Sequence, residues 1–141
     1  MKLTKGYLVF PGADLSGAFL AGADLQKTQL NYANLSKADL SDAVLSSANL
    51  FDANLKNAKL SRANFNNTNL KGANLSYTEL ANADLSDANL NETNLTGADL
   101  TDAILSDNTY MSGTIWNNTT CPDGTINSGT SPCTAEQLNL A

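Results

Sequence analysis

Nineteen large apolar residues stand five apart from Leu15 to Leu105, and every one is leucine except Phe65. Two residues before each lies a small side chain. Fifteen are alanine, from Ala13 to Ala103, and Thr28, Thr68, Thr78 and Thr93 fill the other places. A period of five matches neither the helix repeat of about 3.6 nor the strand repeat of two. The chain must turn a corner every five residues and then return to the same local geometry. Repetition of this kind overrides any window-by-window reading.

One unit, Asn34-Leu35-Ser36-Lys37-Ala38, shows the logic. Leu35 and Ala38 occupy the always-apolar places and face one interior. Ala33 and Leu35 are two apart, which is strand spacing on a single face. Ser36-Lys37 turns the corner, where Ser, Asn, Asp, Gly and Lys recur in other units. Stacked coils then set large on large and small on small and fill the bore densely. Residues 1–12 are expected to cap the first coil, 13–107 to form the coils, and 108–141 to cap the last. Within that last segment Tyr110 and Ile115 continue the leucine spacing, with Asn108 and Gly113 at the small place. Pro122-Asp123-Gly124 reads as a turn. Thr134-Ala135-Glu136-Gln137 matches a capping box and predicts a short terminal helix.

Charge is sparse, at 16% of residues against a usual quarter or so, but it is unevenly placed. All eight bases lie between Lys2 and Lys71 with five acids among them, a balance of +3. From Gly72 onward there are nine acids and no base. An acidic end of this kind disfavours nucleic-acid phosphates, and no nucleic-acid partner is expected. No apolar run approaches the roughly 18 residues of a membrane span, so no membrane insertion is expected. The N-terminal apolar run, Tyr7–Phe10, is too short for a signal peptide.

Chemistry finds few candidates. The chain has no histidine, no phosphate loop and no paired nucleophile and base, so no catalytic residue, cofactor or metal is expected. Asp87 and Asp107 fall on one corner column with Asp84 nearby, but they lack a calcium-loop spacing. Of seven Asn-x-Ser/Thr sequons, those at Asn34, Asn74 and Asn94 arise because the repeat itself writes Asn-Leu-Ser/Thr. Cys121 and Cys133 lie beyond the repeats without zinc or redox spacing. A disulfide closing the tail is preferred over two free thiols. It points to an extracytoplasmic compartment, whereas the lack of a signal peptide leaves the cytoplasm open.

The run from Ala13-Asp14-Leu15 to Ala98-Asp99-Leu100 resembles the pentapeptide repeat family, whose motif is A(D/N)LXX. The resemblance implies an all-β fold, a right-handed quadrilateral β-helix with twenty residues per coil and about five coils. Outward identities recur no more often at a lag of twenty than of fifteen, so the four sides come from the family and not from this sequence. Given them, Asn34, Asn54, Asn74 and Asn94 stack on one face and Asn49, Asn69 and Asn89 on its neighbour, two candidate amide ladders. Asp42 comes beside Arg62, one coil apart. Trp116 and Cys121-Pro122-Asp123-Gly124-Thr125 resemble the C-terminal segment of small cyanobacterial and chloroplast-lumen members. That likeness implies a structural or protein-interaction module with an unidentified protein partner, as a monomer or weak dimer. Tyr32, Phe51 and Tyr77, apolar at outer or corner places, are the candidate interaction surface. The alternative is a DNA-mimic regulator of type II topoisomerase, with which the acidic half is compatible.

Overall fold

In the computed structural model, which describes residues 1–140, the five-residue units with a coil on either side share one pattern of backbone donors to those coils. In the unit Asn34–Ala38, the Asn34 N–H donates down to Ala13 O at 2.9 Å and the Leu35 N–H donates up to Asn54 O at 2.7 Å. The Lys37 N–H reaches Lys56 O at 2.9 Å, and the Ala38 N–H closes the corner on Leu35 O at 3.1 Å. The fifth donor, Ser36 N–H, finds the Asn34 side chain at 3.1 Å. No backbone N–H of the unit is left unpaired, which is the accounting a buried chain must satisfy. The corner combines an i→i+3 bond with a positive φ of 60° at Lys37, the signature of a type II turn.

This pattern winds the chain into a four-sided β-solenoid. Parallel pairing joins residues twenty apart: Asp14 to Asn34, Phe19 to Asp39, Asp24 to Val44, Gln29 to Asn49, and so on up the stack. Face 1 therefore carries Asp14, Asn34, Asn54, Asn74 and Asn94; face 2 carries Phe19, Asp39, Lys59, Glu79 and Asp99. Face 3 carries Asp24, Val44, Asn64, Asp84 and Ile104; face 4 carries Gln29, Asn49, Asn69 and Asn89. Each face is one residue wide per coil, so the coils hold bridges and not extended strands. The leucines from Leu20 to Leu100, with Phe65, are fully enclosed. Threonine substitutes for alanine because its hydroxyl bonds a backbone carbonyl: Thr28 to Leu25 O and Thr78 to Leu75 O, both at 2.7 Å.

The sequence expectation for Tyr110 and Ile115 is overturned. After Ile104 the pairing lag becomes 21, with Tyr110 beside Asn89, Ile115 beside Asn94 and Thr120 beside Asp99. Three residues, Ser106, Asp107 and Asn108, fill a corner that elsewhere takes two. The extra residue moves Tyr110 outward, 61% exposed, and brings Trp116 inward at 5% with Cys121 fully buried. Asn108 and Gly113 lose the small place to Thr109, Thr114 and Thr119, whose hydroxyls bond Leu85, Leu90 and Leu95 carbonyls. Gly113 and Asn118 take the corner, with φ of 71° and 53°. Parallel pairing thus runs past residue 107 to Thr120.

Two caps close the stack. At the start, β1 (Lys2–Thr4) and β2 (Tyr7–Val9) pair antiparallel through the two-residue turn Lys5-Gly6, both at positive φ as a type I′ turn requires. Val9 seals the first layer of the bore. At the end, the Cys121–Cys133 disulfide and buried Leu138 cover the last coil. The expected terminal helix does not form. The capping box is made in both directions, Thr134 N–H to Gln137 Oε1 and Gln137 N–H to Thr134 Oγ1. Beyond it only turns follow, because Asn139 adopts φ 59° as the chain folds under the disulfide. A single helical turn fixes several residues for one bond and has no propagation to offset it.

Two outcomes are expected. Ala53→Leu pushes a large side chain into a bore already filled, costing about 1–3 kcal/mol, whereas outward Ser46→Leu changes little; equal thermal melts for the two would invert the assignment of inside and outside. Thiol titration of the denatured, non-reduced chain should find no free cysteine, as the Cys121–Cys133 bond demands. Replacing both with serine removes about 3 kcal/mol of loop restraint, and hydrogen exchange should then rise in the tail while the coils stay protected.

Candidate interaction surface

The corners decide which side chains stand proud of the solenoid. At the second corner position the chain is left-handed, and non-glycine residues there point outward with φ near +60°. Tyr32 and Tyr77 occupy such positions, at 63° and 58°. Tyr32 N–H bonds Phe51 O at 2.8 Å, which brings the two rings together edge to face with centroids 5.7 Å apart. Tyr77 lies over Gly97 one coil above; a Cβ there would fall 2.6 Å from the ring, so glycine makes room for it. Lys56 Nζ stands 5.9 Å from the Tyr77 centroid, within cation–π range.

These aromatic corners border face 1. Tyr32 and Phe51 lie on the corner that enters it, and Tyr77 lies on the corner that leaves it. Asn34, Asn54, Asn74 and Asn94 form the floor between, and Ile115 ends it. The expected amide ladder is largely absent from this face. Each side-chain oxygen is taken by the N–H two residues ahead, as at Asn74, whose Oδ1 accepts from Ser76 N and Oγ at 3.0 and 2.6 Å. Such Asx turns form at all thirteen Asn and Asp residues that precede the large residue of a repeat. The Nδ2 groups of Asn54, Asn74 and Asn94 make no bond among the described residues and face outward as donors. A true ladder appears on face 4, where Asn69 donates to Asn49 at 3.2 Å and Asn49 to Gln29 at 3.1 Å.

Charged groups are arranged for solubility and turn formation. Arg62 grips Asp42 with two bonds, 2.8 and 3.0 Å, as its place one coil above predicts. Lys71 approaches Glu92 at 3.7 Å. Both pairs are exposed and contribute little individually. Among the described residues no group of acids, cysteines or histidines is placed to hold a metal ion, and Asp87 instead shares bonds with Ser106. A recess of about 280 Å³ beside the N-terminal hairpin is lined by Val9, Phe10, Pro11 and Thr28, with Lys2 and Lys27 its only charged side chains.

Several corner carboxylates are held below the ordinary 3.8. The Ser16 hydroxyl does this for Asp14, Ser41 for Asp39, and the Arg62 guanidinium for Asp42. A depressed native value means the unfolded chain takes up protons first as pH falls, so this stability is complete above about pH 4 and drains away below it. Urea midpoints should therefore drop between pH 4 and pH 3. Asp14→Asn with Asp39→Asn keeps the turns, since asparagine serves at eight equivalent corners, and should lose part of that acid sensitivity. An unchanged acid profile would show that these carboxylates play no part.

The geometry has known counterparts. Residues 10–47, 48–87 and 68–107 match the family model for pentapeptide repeats, in eight copies. The chain is similar to a pentapeptide repeat protein of the Arabidopsis thaliana thylakoid lumen. It is 32% identical over 77% of this chain and 71% of that one, with a TM-score of 0.52. A pentapeptide repeat protein of the cyanobacterium Cyanothece 51142 is 38% identical over 62% of this chain and 63% of its own, at a TM-score of 0.41. The plasmid-mediated fluoroquinolone resistance protein QnrB1 is 20% identical over 79% of this chain and 68% of its own, at 0.44. A likeness at that level carries no functional argument. No curated protein matches the chain.

Proposed function

The chain belongs to the pentapeptide repeat family, and on that premise we propose that it is a non-enzymatic interaction module whose partner is a protein. The observation that carries this reading is the Tyr32–Phe51 pair standing beside the asparagine column of face 1 with Tyr77 on its far edge. Rigidly held tyrosines offer contact area at low entropic cost. Tyr32 packs edge to face on its ring partner, and Tyr77 lies in the space that Gly97 leaves one coil above. The floor between them is Asn34, Asn54 and Asn74, with charge only at its borders, in Asp14 below and Lys56 beside Tyr77, so covering the floor itself strips no ion of water. Its outward Nδ2 donors supply the few directional bonds an interface needs.

Catalysis lacks the parts it would use. There is no histidine in the chain, both cysteines are oxidised, and the outward aspartates before the leucines are engaged by their own corners. The topoisomerase reading needs a surface that is negative along its length, whereas the chain up to Lys71 carries more bases than acids.

The test joins Tyr32→Asn, Phe51→Ser and Tyr77→Asn in one variant. Asparagine already serves at left-handed corners such as Asn57, Asn67 and Asn82, so the fold is expected to melt within about 0.5 kcal/mol of wild type. A protein cross-linked and captured by the wild-type chain should bind the variant at least tenfold more weakly; equal affinity would remove this surface from the proposal. Supercoiling by purified gyrase should proceed unchanged at micromolar protein, and inhibition would replace the reading altogether.

A further inference from the structure

Two apolar patches of unlike charge stand at opposite ends of the solenoid, away from face 1. The first is on the N-terminal hairpin. Leu3 and Leu8 are direct cross-strand partners, and both point outward at 69% and 50% exposure near exposed Lys5, while Lys2 turns its Nζ to the Asp24 carbonyl at 2.8 Å. The Phe19 N–H donates to Tyr7 Oη at 3.1 Å, which fixes the hairpin beside face 2, where Phe19 is 76% exposed. An exposed leucine pair on a two-stranded hairpin is an unusual thing for a soluble chain to leave uncovered.

The second patch is made by the three-residue corner after Leu105. Ile104 and Tyr110 straddle it at 54% and 61% exposure, and Tyr110 is outside only because of the extra residue. The corner is built: Asp87 N–H bonds Ser106 Oγ at 2.9 Å, Ser106 Oγ returns a bond to Asp87 Oδ1 at 2.8 Å, and Ser106 N–H reaches Thr109 Oγ1 at 3.0 Å. Bulges of this sort re-aim side chains and concentrate at working surfaces. Asp84 pairs with Ile104 along face 3, Asp102 precedes it, and Asp107 tops the corner. None of these acids is in an ion pair among the described residues, where the pairs are Arg62–Asp42 and Lys71–Glu92.

We propose that these two patches are the halves of one contact, the lysine-flanked Leu3–Leu8 hairpin of one copy docking on the acidic Ile104–Tyr110 corner of the next. Apolar side chains meet apolar side chains, and Lys5 meets carboxylates that have no counter-ion of their own. Two acidic corners repel each other, so the like-with-like dimer is disfavoured. Contacts between different patches leave one free patch at each end, so the association propagates as an open chain instead of closing as a pair. The small size of both patches makes the contact weak and dependent on concentration.

Complementation tests this directly. Leu3→Thr with Leu8→Thr removes the hairpin patch, and Ile104→Thr with Tyr110→Thr removes the corner patch. All four positions are exposed, and threonine already serves outward at Thr120, so both variants should fold. In sedimentation equilibrium the wild-type mass should climb with concentration at about 50 mM salt and fall toward the monomer at about 500 mM. Each variant alone should stay monomeric, and an equal mixture should reach a one-to-one dimer and nothing larger. The proposal is overturned if wild type stays monomeric throughout, if either variant associates as wild type does, or if the mixture remains monomeric.

Discussion

Everything in this molecule depends on one hydrogen bond, the one between a side-chain oxygen and the backbone N–H two residues on. A square coil has a corner every five residues, and each corner turns one N–H away from the coils above and below. Coil-to-coil pairing satisfies three of the five donors and the turn satisfies a fourth, as in Asn34–Ala38. The fifth needs an acceptor on the spot, and Asn or Asp before the leucine provides it. The family motif is this requirement written in residues: small, acceptor, large, and two that turn. Phe19, Gln29, Val44, Lys59, Glu79 and Ile104 stand where the acceptor would be, and after Ile104 the Thr109 hydroxyl takes over, accepting from the Ser106 N–H at 3.0 Å.

The inner architecture was legible because it rests on size and spacing. The buried leucines and alanines, the Asp42–Arg62 pair, the Tyr32–Phe51 proximity and the cystine all follow from position along the chain. The number of sides was not legible, since outward residues tolerate almost anything and carry no memory of the residue one coil below. The last coils misled for a physical reason. Tyr110 and Ile115 are apolar at the right spacing, but Thr109, Thr114 and Thr119 compete with a better fit, through hydroxyls that bond inner carbonyls. Gly113 and Asn118, which tolerate the left-handed corner, carried the same message. On face 1 the side-chain oxygens of Asn34, Asn74 and Asn94 take a serine or threonine hydroxyl as well as the corner N–H, whereas on face 4 Phe51 and Lys71 follow, bring no hydroxyl and leave room for the ladder.

Burial and recognition are separated in this design. The bore is uniform and apolar from coil to coil, so it holds the stack together without distinguishing one level from another. Identity resides in the corner columns and outward positions, where Tyr32, Tyr77, Arg62 and the C-terminal acids break the monotony. The charge asymmetry has the same origin: outward positions are free to drift, and here they drift from basic to acidic along the axis. A stack whose layers touch only their neighbours keeps such differences local.

The three-residue corner after Leu105 has a consequence for how such a chain can lengthen. Pairing resumes directly above it, with Tyr110 over Asn89 and Ile115 over Asn94, so the four columns are not rotated by the added residue. Only the small and large places are reassigned downstream, to residues that suit them. Because the corner lies outside the bore and closes through Ser106 side-chain bonds, its length is uncoupled from the pitch of the coil. Longer segments inserted at this point cost little more than loop closure, which grows slowly with length. The corner between faces 3 and 4 is thus a natural graft point, through which a rigid scaffold can acquire a protruding arm while every coil on either side keeps its frame.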